Sequence, residues 1–424
     1  MRTLIILLLA FSLSQALAIR PQPAPAPEGP QTFINATIHT GEGGVLENAM
    51  MVIDAGTIRY LGEYQASQQQ GQIIDVQQQH IYPGFILTNT NLGLTEVDAV
   101  RASLDYQETG ELNPNVRTAI AYNADSMRIP PMRYNGILLA QVVPTGGLVS
   151  GQSAVVQLDA WNWDDALVQS DDGLHINWPA QWIKKFDFSS FSMKLEQDKN
   201  HSEKVTKIKA LFKDARAGHS PDNIKLKAVA SVFQGDKQVY IHASTPKAII
   251  ESIEFMQSIG IEKPVLVTDS AALSVLDFIV SADVPVIVST VHDLPQRNDS
   301  PIDQPYKVAA KLQQAGILTA VTYPGSMSSR NLGFTAGTTV AQGLEKETAL
   351  QLITLNPAKI LKIDNHYGSL AVNKSATFFI SAGDALDMAS QQLQYAYIDG
   401  RPIELDGKQQ KLYQRYHDKY QPAE

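Results

Sequence analysis

The sequence predicts an α/β protein whose two ends are both rich in short strands. The middle of the chain carries continuous apolar runs, at Phe85-Ile86-Leu87, Ile137 to Val143, Val239-Tyr240-Ile241, Val265-Leu266-Val267, Pro285 to Val288 and Ile317 to Val321. Strands buried on both faces of a parallel sheet read this way. Helical patterns lie between several of them, and strand–helix alternation of this kind belongs to an α/β barrel or a doubly wound sheet. Both ends instead show short alternating runs separated by glycine turns.

Taken in order, residues 1–18 read as a secretory signal peptide. Arg2 supplies the positive start, Leu4 to Leu13 the apolar stretch, and Ala16-Leu17-Ala18 the small-residue cleavage pattern. Residues 19–30 have proline at nearly every second position from Pro21 and read as an extended, semi-rigid tether. From residue 31 to 82, Thr37-Ile38-His39, Met50 to Asp54, Thr57 to Tyr60 and Gln72 to Val76 read as small antiparallel strands. The α/β middle spans 83–364, where Thr245 is placed to cap a helix opening at Pro246 and a second helix is expected over Ser270 to Ile279. Strand grammar returns over 365–406, in Thr377 to Ile380 and Gln394 to Ile398, so the two ends are expected to join in one small sandwich. Residues 407–424 form a polar, peripheral tail. The mixed charges from Lys194 to Arg216 read as a solvated helix face. Trp161, Trp163, Trp178 and Trp182 read first as packing of an inserted segment, with a pocket or interface lining as the alternative.

Composition excludes several classes. A net charge of −9 with no basic stripe argues against nucleic-acid binding. The absence of cysteine excludes disulfides, thiolate metal ligands and lipid attachment through an N-terminal Cys. Outside the leader no apolar run reaches the length of a membrane span. The expectation is a secreted, periplasmic protein, free of the membrane after signal removal.

An ordered set of motifs resembles the amidohydrolase superfamily, in particular its exported imidazolonepropionase-like members. They are Ile81-Tyr82-Pro83-Gly84-Phe85-Ile86, Leu92-Gly93-Leu94, Gly146-Gly147-Leu148-Val149-Ser150-Gly151-Gln152-Ser153-Ala154, Leu355-Asn356-Pro357-Ala358-Lys359-Ile360-Leu361, Gly368-Ser369-Leu370 and Ile398-Asp399-Gly400-Arg401. The resemblance implies a TIM-type (β/α)8 barrel inserted into a small β-sandwich made from both chain ends. It also implies one or two divalent ions at the barrel mouth, on a His-x-His pair from the first strand, a His from the fifth, a His from the sixth and an Asp from the eighth.

Only one of those positions keeps its chemistry. The His-x-His pair falls at Asn89 and Asn91, the fifth-strand ligand at His242, the sixth-strand ligand at Asp269 and the eighth-strand aspartate at Tyr323. An amide oxygen is a poor ligand for zinc beside imidazole, and a phenol is a poor general base at neutral pH. No lysine is placed to serve as a bridging carbamate. A catalytic zinc normally needs three protein ligands. The expectation is therefore an amidohydrolase-like protein with a degenerate metal site and no cofactor. Its role would be non-hydrolytic, as partner subunit of a metal-bearing homologue or as binder of a small amide-like ligand. The alternative is an active hydrolase of C–N bonds in cyclic amides or peptides, holding zinc or another divalent ion on His242, Asp269 and His292. Metal-free acid–base chemistry on Asp269 and His242 is a further variant of that reading.

Overall fold

In the computed structural model the described residues are 22–420, apart from 219–221, 297–298, 324 and 326. The expected signal peptide lies outside them. The chain opens with β1 (Gln31–His39), β2 (Val45–Asp54), β3 (Thr57–Glu63), β4 (Gln72–Asp75) and β5 (His80–Pro83). Four strands of the middle follow as β6 (Phe85–Thr90), β7 (Ile137–Val142), β8 (Val149–Gln157) and β9 (Leu167–Asn177). A separate hairpin, β10 (Trp182–Asp187) with β11 (Ser192–Gln197), precedes β12 (Gln238–His242), β13 (Val265–Thr268), β14 (Val286–Val288) and β15 (Thr319–Val321). The chain returns to the first sheet with β16 (Phe378–Ser381), β17 (Leu393–Ile398) and β18 (Arg401–Ile403).

The architecture is a (β/α) barrel joined to a β module that both chain ends build. Strands β6 to β9 and β12 to β15 form one eight-stranded sheet. Its neighbours are parallel except around β8, which runs antiparallel to both β7 and β9. The seam between β15 and β6 is filled by main chain: Leu352 O accepts from Val321 N at 3.0 Å and Ile353 O from Ile86 N at 2.8 Å. Thr322 Oγ1 donates to Thr88 O across the same seam.

Both chain ends meet in the other sheet, ordered β18-β17-β16-β5-β1-β2-β3, with β4 also on β1. The strands expected to be all antiparallel include two exceptions, since β4 and β5 both run parallel to β1. Alternation explains how this module faces two ways. Ile81, Phe378 and Ile380 enter its own core, while their neighbours Tyr82 and Phe379 enter the barrel's. Phe378 stacks on Tyr397 at 4.6 Å and meets Phe33 edge-on at 5.2 Å, which locks β16, β17 and β1 together.

Local expectations fare unevenly. The helix Pro246–Ser258 is capped as expected, with Thr245 Oγ1 accepting from Ala248 N. The second expected helix begins as a 3-10 turn, Ser270–Val275, and becomes α-helical over Leu276–Ala282. The charged stretch divides: Lys194 lies on β11, and the helix begins only at His201, running to Arg216. Of the four tryptophans only Trp178 is buried, so packing does not account for Trp161, Trp163 and Trp182. The proline-rich segment is pinned at Ala24, whose N donates to Asp159 Oδ2 at 2.8 Å and whose O accepts from Arg401. The tail forms a helix, Lys408–Tyr420, with no buried residue.

Gly173 on β9 has no room for a side chain, because a Cβ there would lie 2.2 Å from Cε2 of the fully buried Tyr240 ring. Replacement Gly173→Ala is expected to destabilise the fold by about 1–3 kcal/mol, the usual cost of overpacking. Chemical denaturation measures this, and an unchanged midpoint would contradict the packing described.

Candidate functional site at the barrel mouth

At the C-terminal ends of the barrel strands lies a pocket of about 240 Å³, lined by Asn89, Asn91, Asn177, His242, Ser289 and Tyr323 among others. The structure thus brings Asn89, Asn91, His242 and Tyr323, four of the positions singled out in the sequence, together in one cleft. Sequence reasoning does not foresee the backbone that presents them. Asn89 has φ 50°, a left-handed conformation that asparagine tolerates, and the β6–β7 register slips between Leu87 and Thr90. Asn91 follows β6 in a turn. Neither side-chain amide has a hydrogen-bond partner among the described residues. Asn177 does, donating to Gly147 O at 3.0 Å and Ser150 Oγ at 2.9 Å, so it fastens the β7–β8 turn.

Behind His242 runs a buried polar chain. His242 Nε2 and His175 Nδ1 are 2.9 Å apart, and His175 Nε2 lies 2.8 Å from Ser153 Oγ. Gln141 Nε2 donates to Asp172 Oδ2 at 2.8 Å and lies 3.4 Å from Ser153 Oγ. The Tyr240 hydroxyl donates to the same Asp172 oxygen at 3.0 Å, and its ring stacks on His175 at 4.6 Å. Gln141 Oε1 in turn accepts from Asn89 N at 3.2 Å, which returns the chain to the mouth. Five consecutive strands contribute, β6 to β9 and β12.

Burial sets the protonation of this chain. It lowers His242 to about 4. His175 is held well below the ordinary histidine value, first by burial and then by the neighbouring His242. Burial raises the Asp172 carboxyl and, with Asp172 beside it, the Tyr240 phenol. Desolvation disfavours the charged form in each case. Two neutral histidines in series permit two proton arrangements. If His242 donates from Nε2, its Nδ1 is left as an acceptor; if His175 Nδ1 donates instead, His242 Nδ1 carries the proton.

The other candidates lie apart from this chain. Asp269 caps the Ser270–Val275 turn, its Oδ1 accepting from Ala271 N at 2.9 Å, and burial raises its carboxyl. His292 Nε2 sits 2.7 Å from Thr338 Oγ1 on a neighbouring helix, with its ring edge-on to Tyr323 at 5.9 Å. Among the described residues no three or more His, Asp or Glu side chains come together to hold a metal ion. The donor set of the mouth does not fit a divalent metal: two neutral amides, a phenol and one imidazole whose Nε2 is already engaged.

Gln141, Ser153, Asp172, His175 and Tyr240 were missed as site residues. A usable signal existed in Gly173-Leu174-His175-Ile176-Asn177, where apolar and non-apolar positions alternate as on a strand with a polar inner face.

The chain matches the model of the amidohydrolase family over residues 180–403. It is similar in structure to an amidohydrolase from Thermotoga maritima MSB8, with TM-score 0.76 at 20% identity, covering 88% of this chain and 99% of that one. A prolidase complexed with N-methylphosphonate-L-proline aligns with TM-score 0.53 at 13% identity, covering 88% and 99% of the two chains. Phenylurea hydrolase B aligns with TM-score 0.55 at 12% identity, covering 89% and 97%. At such identities the likenesses speak for the fold. No curated protein matches the chain in sequence.

The histidine pair makes stability depend on pH. An unfolded His242 would take up a proton below its ordinary value of 6.5, while the folded one resists until about 4. The contribution is therefore complete above 6.5 and lost as pH falls towards 4. Relative to His242→Gln, the native chain should lose on the order of 2 kcal/mol between pH 7.5 and pH 5. Denaturation curves of both proteins at the two pH values measure it. Asp172 acts in the opposite sense but is common to both, so parallel curves would refute the assignment.

Proposed function

The chain belongs to the amidohydrolase family, and from that premise we propose that it binds a small, neutral, amide-like ligand at the barrel mouth without hydrolysing it. One observation carries the reading: the pocket offers only uncharged donors and acceptors. Asn89 and Asn91 each present an amide carbonyl and an amide NH2 without partners among the described residues. Ser289 and Tyr323 add hydroxyls to the lining, and His242 is held neutral by burial.

An amide ligand carries one donor and one acceptor, and the asparagine amides complement both. His242 adapts to either, since the two tautomers of the His242–His175 pair exchange the role of its Nδ1. A pocket of about 240 Å³ suits a ligand of small-metabolite size. In the family a divalent ion supplies the nucleophilic hydroxide. The residues that would have to hold that ion here are the neutral ones just described, which supports binding over hydrolysis. The export pattern of residues 1–18 supports a periplasmic setting for this binding.

Metal analysis and ligand titration test the reading together. After saturation with zinc or manganese and desalting, less than about one-tenth of an ion should remain per chain. Cyclic amides and dipeptides, screened by calorimetry, should include a ligand that binds without turnover. Asn89→Ala and Asn91→Ala should each weaken it about five- to tenfold, the effect of one hydrogen bond. About one retained ion per chain with amide hydrolysis lost in His242→Ala would establish the rearranged-metal alternative instead.

A further inference from the structure

We propose that the hairpin formed by β10 and β11 is a self-association arm that packs against the same arm of a second copy of this chain. Among the described residues the hairpin pairs with no other strand. Its register sets Lys185 opposite Lys194, Phe186 opposite Met193 and Lys184 opposite Leu195. Alternation then separates two faces. One carries Lys185, Asp187, Lys194 and Glu196, closed on itself by the ion pairs Lys185–Glu196 and Lys194–Asp187. The other carries Trp182, Phe186, Met193 and Leu195, with Lys184 and Gln197 among them, and continues into Phe188 and Phe191 at the tip.

That second face is uncovered. Phe188 is 79% and Phe191 82% exposed, and the other four side chains are about half exposed or more. A two-stranded hairpin with a bare apolar face is marginal in water, so a covering partner is called for. Together the six side chains expose on the order of 700 Å², close to what one partner contributes to a standard-sized interface. The tip is already organised: Phe186 meets Phe188 edge-on at 5.1 Å and Phe191 at 6.1 Å. Little ordering cost then remains for binding.

The observations favour a second copy as the occupant. One face is mainly apolar, with Lys184 the one charged residue on it, and the other is internally neutralised. Two arms related by a twofold axis bury like against like with no carboxylate between them, the Lys184 stem lying along the apolar surface and its ammonium reaching water at the rim. A net charge of −9 disfavours attachment to an anionic lipid surface, the other natural destination for exposed phenylalanines. The arm begins shortly after Asn177, at the end of β9 that lines the mouth.

Light scattering after size exclusion, from about 1 to 100 μM chain, is the test, using the full exported protein in 0.15 M salt. A dimer is expected, with dissociation constant in the micromolar range or below. Phe188→Ser with Phe191→Ser should raise that constant at least about thirtyfold, as should Met193→Thr with Leu195→Thr. Lys185→Ala on the opposite face should leave it unchanged. All these positions are exposed, and circular dichroism checks that the variants remain folded. A monomer throughout the range overturns the proposal. So does a dimer indifferent to both double variants, or a monomer that floats with phosphatidylcholine–phosphatidylglycerol vesicles in a Phe188-dependent manner.

Discussion

Polar groups removed from water must find partners, and the barrel interior is arranged around that requirement. His242, His175, Ser153, Gln141, Asp172 and Tyr240 are joined in one chain, and the main chain of Asn89 closes it. Each link crosses from one strand to another. The chain thus ties the barrel transversely, while the backbone ladders tie neighbouring strands along their lengths. It also dictates charge. With so little water available, the histidines stay neutral and the carboxyl is pushed upwards. The mouth inherits this neutrality through His242, and the proposed ligand class follows from it.

The reversed strand β8 has a place in this logic. Ser153 on β8 faces His175 from the neighbouring β9, and the same strand reaches Gln141 on β7. Bulges at Asp171 (φ 51°) and between Ser153 and Val155 let β9 depart from strict alternation, so that both Asp172 and His175 join the chain. Gly173 between them is the point at which the Tyr240 ring lies against the backbone. Regular strands could not have delivered these side chains to one network.

Much of the fold was legible because burial on both faces leaves continuous apolar runs. Val239 to Ile241 and Val265 to Val267 are of this kind, and so are the apolar pairs Ile81-Tyr82 and Phe378-Phe379, whose neighbours face two different cores. The barrel strands β8 and β9 were not read as strands for the same physical reason in reverse. Their inner positions are polar, and Gln169-Ser170-Asp171-Asp172-Gly173 resembles a surface loop until its partners are known. At the site, Asn89, Asn91, His242 and Tyr323 were found through family motifs that mark strand ends. His175 carries no such motif, and only its distance to His242 reveals it. The hairpin was hidden because its lysines and glutamate suggest a solvated helix, and only the short stretch Phe186-Asp187-Phe188 alternates at strand period.

The terminal module also bears on the order in which the molecule can be made. Tyr82 on β5 pairs with Phe379 on β16, about 300 residues later. Until that distant stretch emerges, β5 keeps a bare, sticky edge and the barrel's first strand lacks its aromatic backing from Phe379. Arg401, which grips Asp159 beside Ala24, emerges later still. The last sheet strands therefore act as a latch on the first ones. A chain that emerges N-terminus first must wait for its far end before this sheet can close, and its first strands stay exposed to wrong partners during the interval.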